Sequence, residues 1–171
     1  MSANEFYTNS DGLNIRFGLE KGSAAKEGVI STMGDESVLK VRVVGVDLAS
    51  SGAPIATHPL AGIPTGAHLI SATLYVTEAF TSGGSGTLTL GLYHDDGDGT
   101  FSVVDEDGID ATIAKTALDA IGDHVACDGA LVGTGTAAIA GTGGRPVFVS
   151  GLYATAAFTA GKADLVIKYR V

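Results

Sequence analysis

Tryptophan is absent from this chain, cysteine occurs once, and no apolar run approaches bilayer length. The single thiol, Cys127, excludes an intrachain disulfide and any zinc site built on several cysteines. No histidine motif or helix start flanks it, so it reads as a small, partly buried apolar residue. A membrane-spanning helix needs about 20 consecutive apolar residues, and none is present. Aromatic residues make up only 6% of the chain, which leaves little to stack against sugar rings. Glu78, Asp95 and Asp105 are the carboxylates a glycosidase would have to bring together.

Basic charge is also missing where it would matter. Five of the ten lysines and arginines lie in the first 42 positions (Arg16, Lys21, Lys26, Lys40, Arg42), and none occurs from Val43 through Ala114. With a net charge of −9, the acidic middle of the chain repels phosphate backbones and anionic lipid. Neither a nucleic acid nor a membrane is therefore expected as a partner. The opening MSANEFYTNSDG has no basic or apolar leader segment, so synthesis in a cytoplasm without a standard export signal is expected.

What is present is strand patterning. At 171 residues the chain suits one domain that buries roughly 70% of its unfolded surface. From His68 to Phe80, Ile70, Ala72, Leu74 and Val76 share one face, and from Thr87 to Tyr93, Leu88, Leu90 and Leu92 do the same. That is the period of half-buried strands, and the Gly/Ser link between them predicts a β-hairpin. Ser37 to Leu48 is a further strand, in which Leu39, Val41 and Val43 alternate with Lys40 and Arg42. Strands are also predicted near 124–126, 130–132 and 146–154, and over ADLVIKYRV at the end. Ile109, Ile113, Ala117 and Ile121 recur at helical spacing, with Asp107 or Asp110 as cap and Gly122 as stop, which predicts one short helix.

Long Gly- and Pro-containing connections between short alternating strands describe an all-β, antiparallel two-sheet sandwich of jelly-roll type. The expected organisation is an extended N-terminal arm over 1–34 and the sandwich over 35–171.

Motifs for chemistry are few. Asp95, Asp96, Asp98, Asp105, Glu106, Asp107 and Asp110 form an acidic stretch, but Phe101 stands where a calcium loop of the EF-hand type demands glycine. The stretch therefore reads as a solvated turn without a metal. His58, His68, His94 and His124 lack metal-ligand spacing. Gly133, Gly135 and Ala138 match G-x-G-x-x-A, but GTGGRP follows where a helix should, so a loop is expected there. No nucleophile elbow or phosphate loop occurs, and neither an enzyme nor a cofactor is expected.

The phrases IPTGAHLISATLYVTEAF, TLTLGLYHDDGDGTF and GGRPVFVSGLYATAAFTAGKADLVIKYRV resemble decoration, or cement, proteins on the heads of tailed bacteriophages, cyanophages included. The resemblance spans about the last 110 residues and carries no catalytic residue. It implies a virion structural protein, made in the host cytoplasm. It would sit on the outer surface of the capsid as a homotrimer bound to the major capsid protein. In that setting Phe6, Tyr7, Leu13, Ile15, Arg16 and Phe17 of the arm are the expected capsid or subunit contacts, since aromatic and arginine anchors dominate such interfaces. The alternative is a carbohydrate- or receptor-binding jelly-roll module.

Overall fold

The computed structural model describes residues 6–8, 14–16, 28–33, 36–56, 61–133, 138–141 and 143–171, with side chains from Glu36 onward. Its strands in chain order are β1 (Phe6–Thr8), β2 (Asn14–Arg16), β3 (Gly28–Met33), β4 (Glu36–Val44), β5 (Ala53–Pro54) and β6 (His68–Ser82). They continue as β7 (Thr87–Asp95), β8 (Phe101–Ala114), β9 (His124–Ala126), β10 (Val147–Ala154) and β11 (Phe158–Arg170). One sheet has five strands in the order β3-β4-β11-β6-β9, the other has four in the order β5-β10-β7-β8, and β1 pairs with β2 alone. All these pairings are antiparallel. The fold is thus the all-β two-sheet class expected from alternation. From β4 to β11 the pairing is nested: β4 with β11, β5 with β10, β6 with β9 and β7 with β8.

The predicted strand alternation becomes the core. Leu39, Val41 and Val43 of β4, Leu74 of β6, and Leu165 and Ile167 of β11 are fully buried. Leu88, Leu90 and Leu92 of β7 and Val147 of β10 belong to the same apolar cluster. Each fully buried side chain of this size contributes about 1.5–3 kcal/mol relative to exposure. Outward positions of the five-stranded sheet, such as Lys40, Arg42, Tyr75 and Lys168, remain exposed.

The expected hairpin does not form. β6 and β7 lie in different sheets, β6 beside β11 and β9, β7 beside β10 and β8. A period of two identifies a strand's buried face and is silent on its hydrogen-bonded neighbour. Here the two leucine-bearing faces belong to opposite sheets of one core, and Gly83–Gly86 carries the chain across.

The expected helix is also replaced. Ile109 and Ile113 belong to β8, and only a single 3-10 turn, Lys115–Ala117, follows. A spacing of four is about one helical turn but also two strand periods, so both isoleucines can be buried from a strand. Ile121, assigned to the same stripe, is 75% exposed, while Leu118 is fully buried in its place. Asp110 caps no helix; its Oδ1 accepts the Thr112 N–H at 3.1 Å.

β8 carries a large bulge. Between Leu90 and Leu92 of β7, the β8 register passes from Asp110 to Asp105. The excess chain folds onto Gly91, where a Cβ would stand 2.2 Å from the Glu106 carbonyl oxygen. The bulge then binds the segment after β9: the N–H groups of Gly129 and Leu131 donate to Ile109 and Gly108 at 2.8 and 2.9 Å. Cys127 and Gly133 donate to Ala72 and Leu69 of β6 at 2.9 and 3.1 Å. This segment therefore laces the edges of the two sheets together.

Candidate functional site

The N-terminal anchors are placed in part. Phe6 and Tyr7 lie on β1, and Ile15 and Arg16 on β2, with Phe6 opposite Arg16 and Tyr7 opposite Ile15. Leu13 and Phe17 lie outside the described residues. β3, within the 1–34 segment, pairs along β4 from Gly28 opposite Val41 to Met33 opposite Glu36.

The acidic stretch is the tip and outer strand of the β7–β8 hairpin. Its carboxylates are tied up locally. Asp95 accepts the Gly97 N–H at 2.7 Å, and Asp96 accepts the Ser102 hydroxyl at 2.6 Å. Asp98 accepts the Thr100 N–H and hydroxyl at 2.9 and 2.5 Å. The Ser102 bond, opposed by desolvation and helped by His94 and Thr100, holds Asp96 below the usual carboxylate range. Thr100 does the same for Asp98. His94 Nε2 lies 2.7 Å from Asp96, and Arg145 Nη1 lies 3.7 Å from Asp95. Among the described residues no three His, Cys, Asp or Glu side chains converge as metal ligands.

The candidate glycosidase carboxylates are split between the sheets. Glu78 sits on β6 and accepts from Lys162 Nζ at 2.6 Å, whereas Asp95 and Asp105 belong to β7 and β8. Of the four histidines, His68, His94 and His124 fall on β6, β7 and β9, and His58 lies outside the described residues. Gly133 follows the isolated bridge between Leu69 and Val132, while Gly135 of the glycine-rich match is also outside them.

Cys127 is buried beside Asp110 and Asp128. Burial first, then those two negative neighbours, push its thiol up to about 12. A thiol so placed stays protonated and unreactive at neutral pH. Burial likewise raises Asp110, with a further push from Asp128.

The organised surface group that sequence reasoning missed lies on the outside of the five-stranded sheet. Register sets Arg42 of β4 opposite Asp164 of β11, Asp164 opposite Tyr75 of β6, and Tyr75 opposite His124 of β9. Arg42 Nε and Nη2 donate to the two Asp164 oxygens at 3.0 and 3.3 Å, and Lys40 Nζ approaches the same carboxylate at 2.8 Å. Burial opposes the Asp164 charge, but Arg42 and Lys40 outweigh it and hold the carboxyl below its ordinary value. Tyr75, 47% exposed, stacks on His124 with ring centroids 6.3 Å apart. The row joins four strands, so no local motif could have announced it. The one sequence signal was the outward position of Lys40, Arg42 and Tyr75 in their alternating strands.

No family model matches the chain, and no curated protein matches its sequence. Two solved structures resemble it in shape, and both are phage capsid structures. The acidic stable capsid structure of Helicobacter pylori bacteriophage KHP30 contains a chain with 16% identity and a TM-score of 0.49, covering 85% of this chain and 92% of that one. The cyanophage Pam1 capsid asymmetric unit contains one with 18% identity and a TM-score of 0.46, covering 96% of this chain and 97% of that one.

Proposed function

We propose that this protein is a virion structural protein that cements an icosahedral phage head as a homotrimer bound to the outer face of the major capsid protein. The carrying observation is where the phage-like phrases fall. They supply β6, β7, β10 and β11, four of the five inner strands of the two sheets, so the resemblance coincides with most of the framework of the sandwich. The nested pairing of β4 to β11 supports the jelly-roll wiring of this reading. In it, residues 1–34 act as an arm rooted in the sheet through β3, with Phe6, Tyr7, Leu13, Ile15, Arg16 and Phe17 as anchors on capsid or sister subunit. Many copies, each burying a modest area, then add up through avidity.

The test is reconstitution. Purified protein added to heads that lack it should appear on their outer surface in electron micrographs and raise the temperature at which they rupture. A chain without residues 1–27 should keep its circular dichroism spectrum and lose head binding. Failure of the intact protein to bind such heads overturns the proposal. A carbohydrate- or receptor-binding module remains the second reading because exposed Tyr75, backed by His124, offers a stacking surface. Saturable binding of a glycan, abolished by Tyr75→Ala, would favour it.

A further inference from the structure

A closed trimer cannot be built from one self-complementary patch. Threefold symmetry makes every contact heterologous, so each subunit must carry two different surfaces that fit one another. The described residues supply two surfaces of unlike charge. On the outside of the five-stranded sheet stand Lys40, Arg42, Lys162, Lys168 and Arg170, five of the seven lysines and arginines whose side chains are described, offset by Glu36, Glu78 and Asp164. On the other sheet, the β7–β8 tip carries Asp95, Asp96 and Asp98, faced by Arg145 and His94. Face against face and tip against tip repel, whereas face against tip attracts.

We propose that the outer face of the five-stranded sheet receives the acidic β7–β8 tip of a second copy of this chain, head to tail around the trimer. This rests on the trimeric reading given under Proposed function and names the surfaces that would close it. Tyr75 is the anchor, since a large, partly exposed aromatic ring held by a stacked neighbour loses little freedom on burial. Arg42 and Asp164, already paired beside it, hold a fixed polar surface next to that ring. Lys168 and Arg170 have no acidic partner among the described residues, so their charges are available to the incoming tip.

The experiment is charge reversal in the full-length chain, read by sedimentation velocity at about 0.1 M salt, where the screening length is about 10 Å. Lys168→Glu with Arg170→Glu, and separately Asp95→Lys with Asp98→Lys, should each leave a folded monomer. The chain carrying all four substitutions should form the trimer again, because its face and tip are reversed together. Tyr75→Ala should weaken association at least tenfold. A wild-type trimer whose two reversed variants keep their size overturns the inference and leaves the trimeric reading standing. Reversed variants that dissociate without recovery in the fourfold variant overturn it as well. A wild-type monomer overturns the trimeric reading and this inference together.

Discussion

The outer faces of the two sheets are treated in opposite ways. On the four-stranded sheet, Gly91 and Tyr93 of β7 and Phe148 and Ser150 of β10 point outward and are nevertheless buried. The β8 bulge lies on Gly91, Tyr93 donates its hydroxyl to Glu106 at 3.3 Å, and Phe101 packs edge-on against Phe148. On the five-stranded sheet, the outward row of Arg42, Tyr75 and His124 stays open. A face covered by its own chain has its packing partners already and is intolerant of added volume. A face left open with fixed ion pairs and an aromatic ring is free to meet another molecule. The chain's own bulge thus covers the outer face of one sheet, and the outer row of the other is left open.

Substitutions at matched outward positions are the sharpest way to break that contrast. Gly91→Val should be the most damaging, because its side chain would collide with the backbone of Asp105 and Glu106. We expect a loss of about 3 kcal/mol in urea unfolding. Thr73→Val, at an outward position of β6, should change stability by no more than about 0.5 kcal/mol. Equal effects at the two sites would erase the distinction.

Next in size is Asp164→Asn, which removes the carboxylate that Arg42 and Lys40 share on the open face. The pair is only partly screened, so about 1 kcal/mol should be lost at pH 7. Because its folded pKa is depressed, Asp164 stabilises the protein above its unfolded value of about 3.9 and loses that effect as pH falls through the lower folded value. The difference between wild type and variant should therefore vanish in strong acid. A constant difference across pH would show that the ion pairs contribute nothing.

Asp110, beside the seam where the segment after β9 laces β8 to β6, should act with opposite sign. Its folded pKa is raised by burial, so the charged form costs stability above that value and the cost is absent below about pH 3.9. Asp110→Asn should flatten the decline in wild-type stability as pH rises through the raised value; an unchanged slope would refute this role. The smallest expected effect is at Cys127, whose raised, buried thiol should resist iodoacetamide in the folded protein and react on unfolding. Fast labelling of the native chain would mean that the seam opens readily.

Alternation made most of the strands legible, because burial of one face leaves a period of two in residues such as Leu39, Val41 and Val43. Pairing was not legible: β6 and β7 follow each other in sequence and yet belong to different sheets. The β8 bulge hid behind isoleucines whose spacing of four suits a helix and a strand alike. The row on the open face escaped for another reason. Arg42 and Asp164 are 122 residues apart, and only register joins them.

That separation also sets a clock. β11 stands between β4 and β6 in the five-stranded sheet, so both earlier strands lack a shared neighbour until it has been made. Translation proceeds at about 5–20 residues per second, so crossing the 122 residues from Arg42 to Asp164 takes roughly 10 s. Until then β4, and β6 once it is made, carry unpaired backbone groups along the edge that β11 will fill. Because such long-range pairing is slow and exposes strand edges, this waiting period, more than the finished fold, is the stage at which chains would be lost to aggregation.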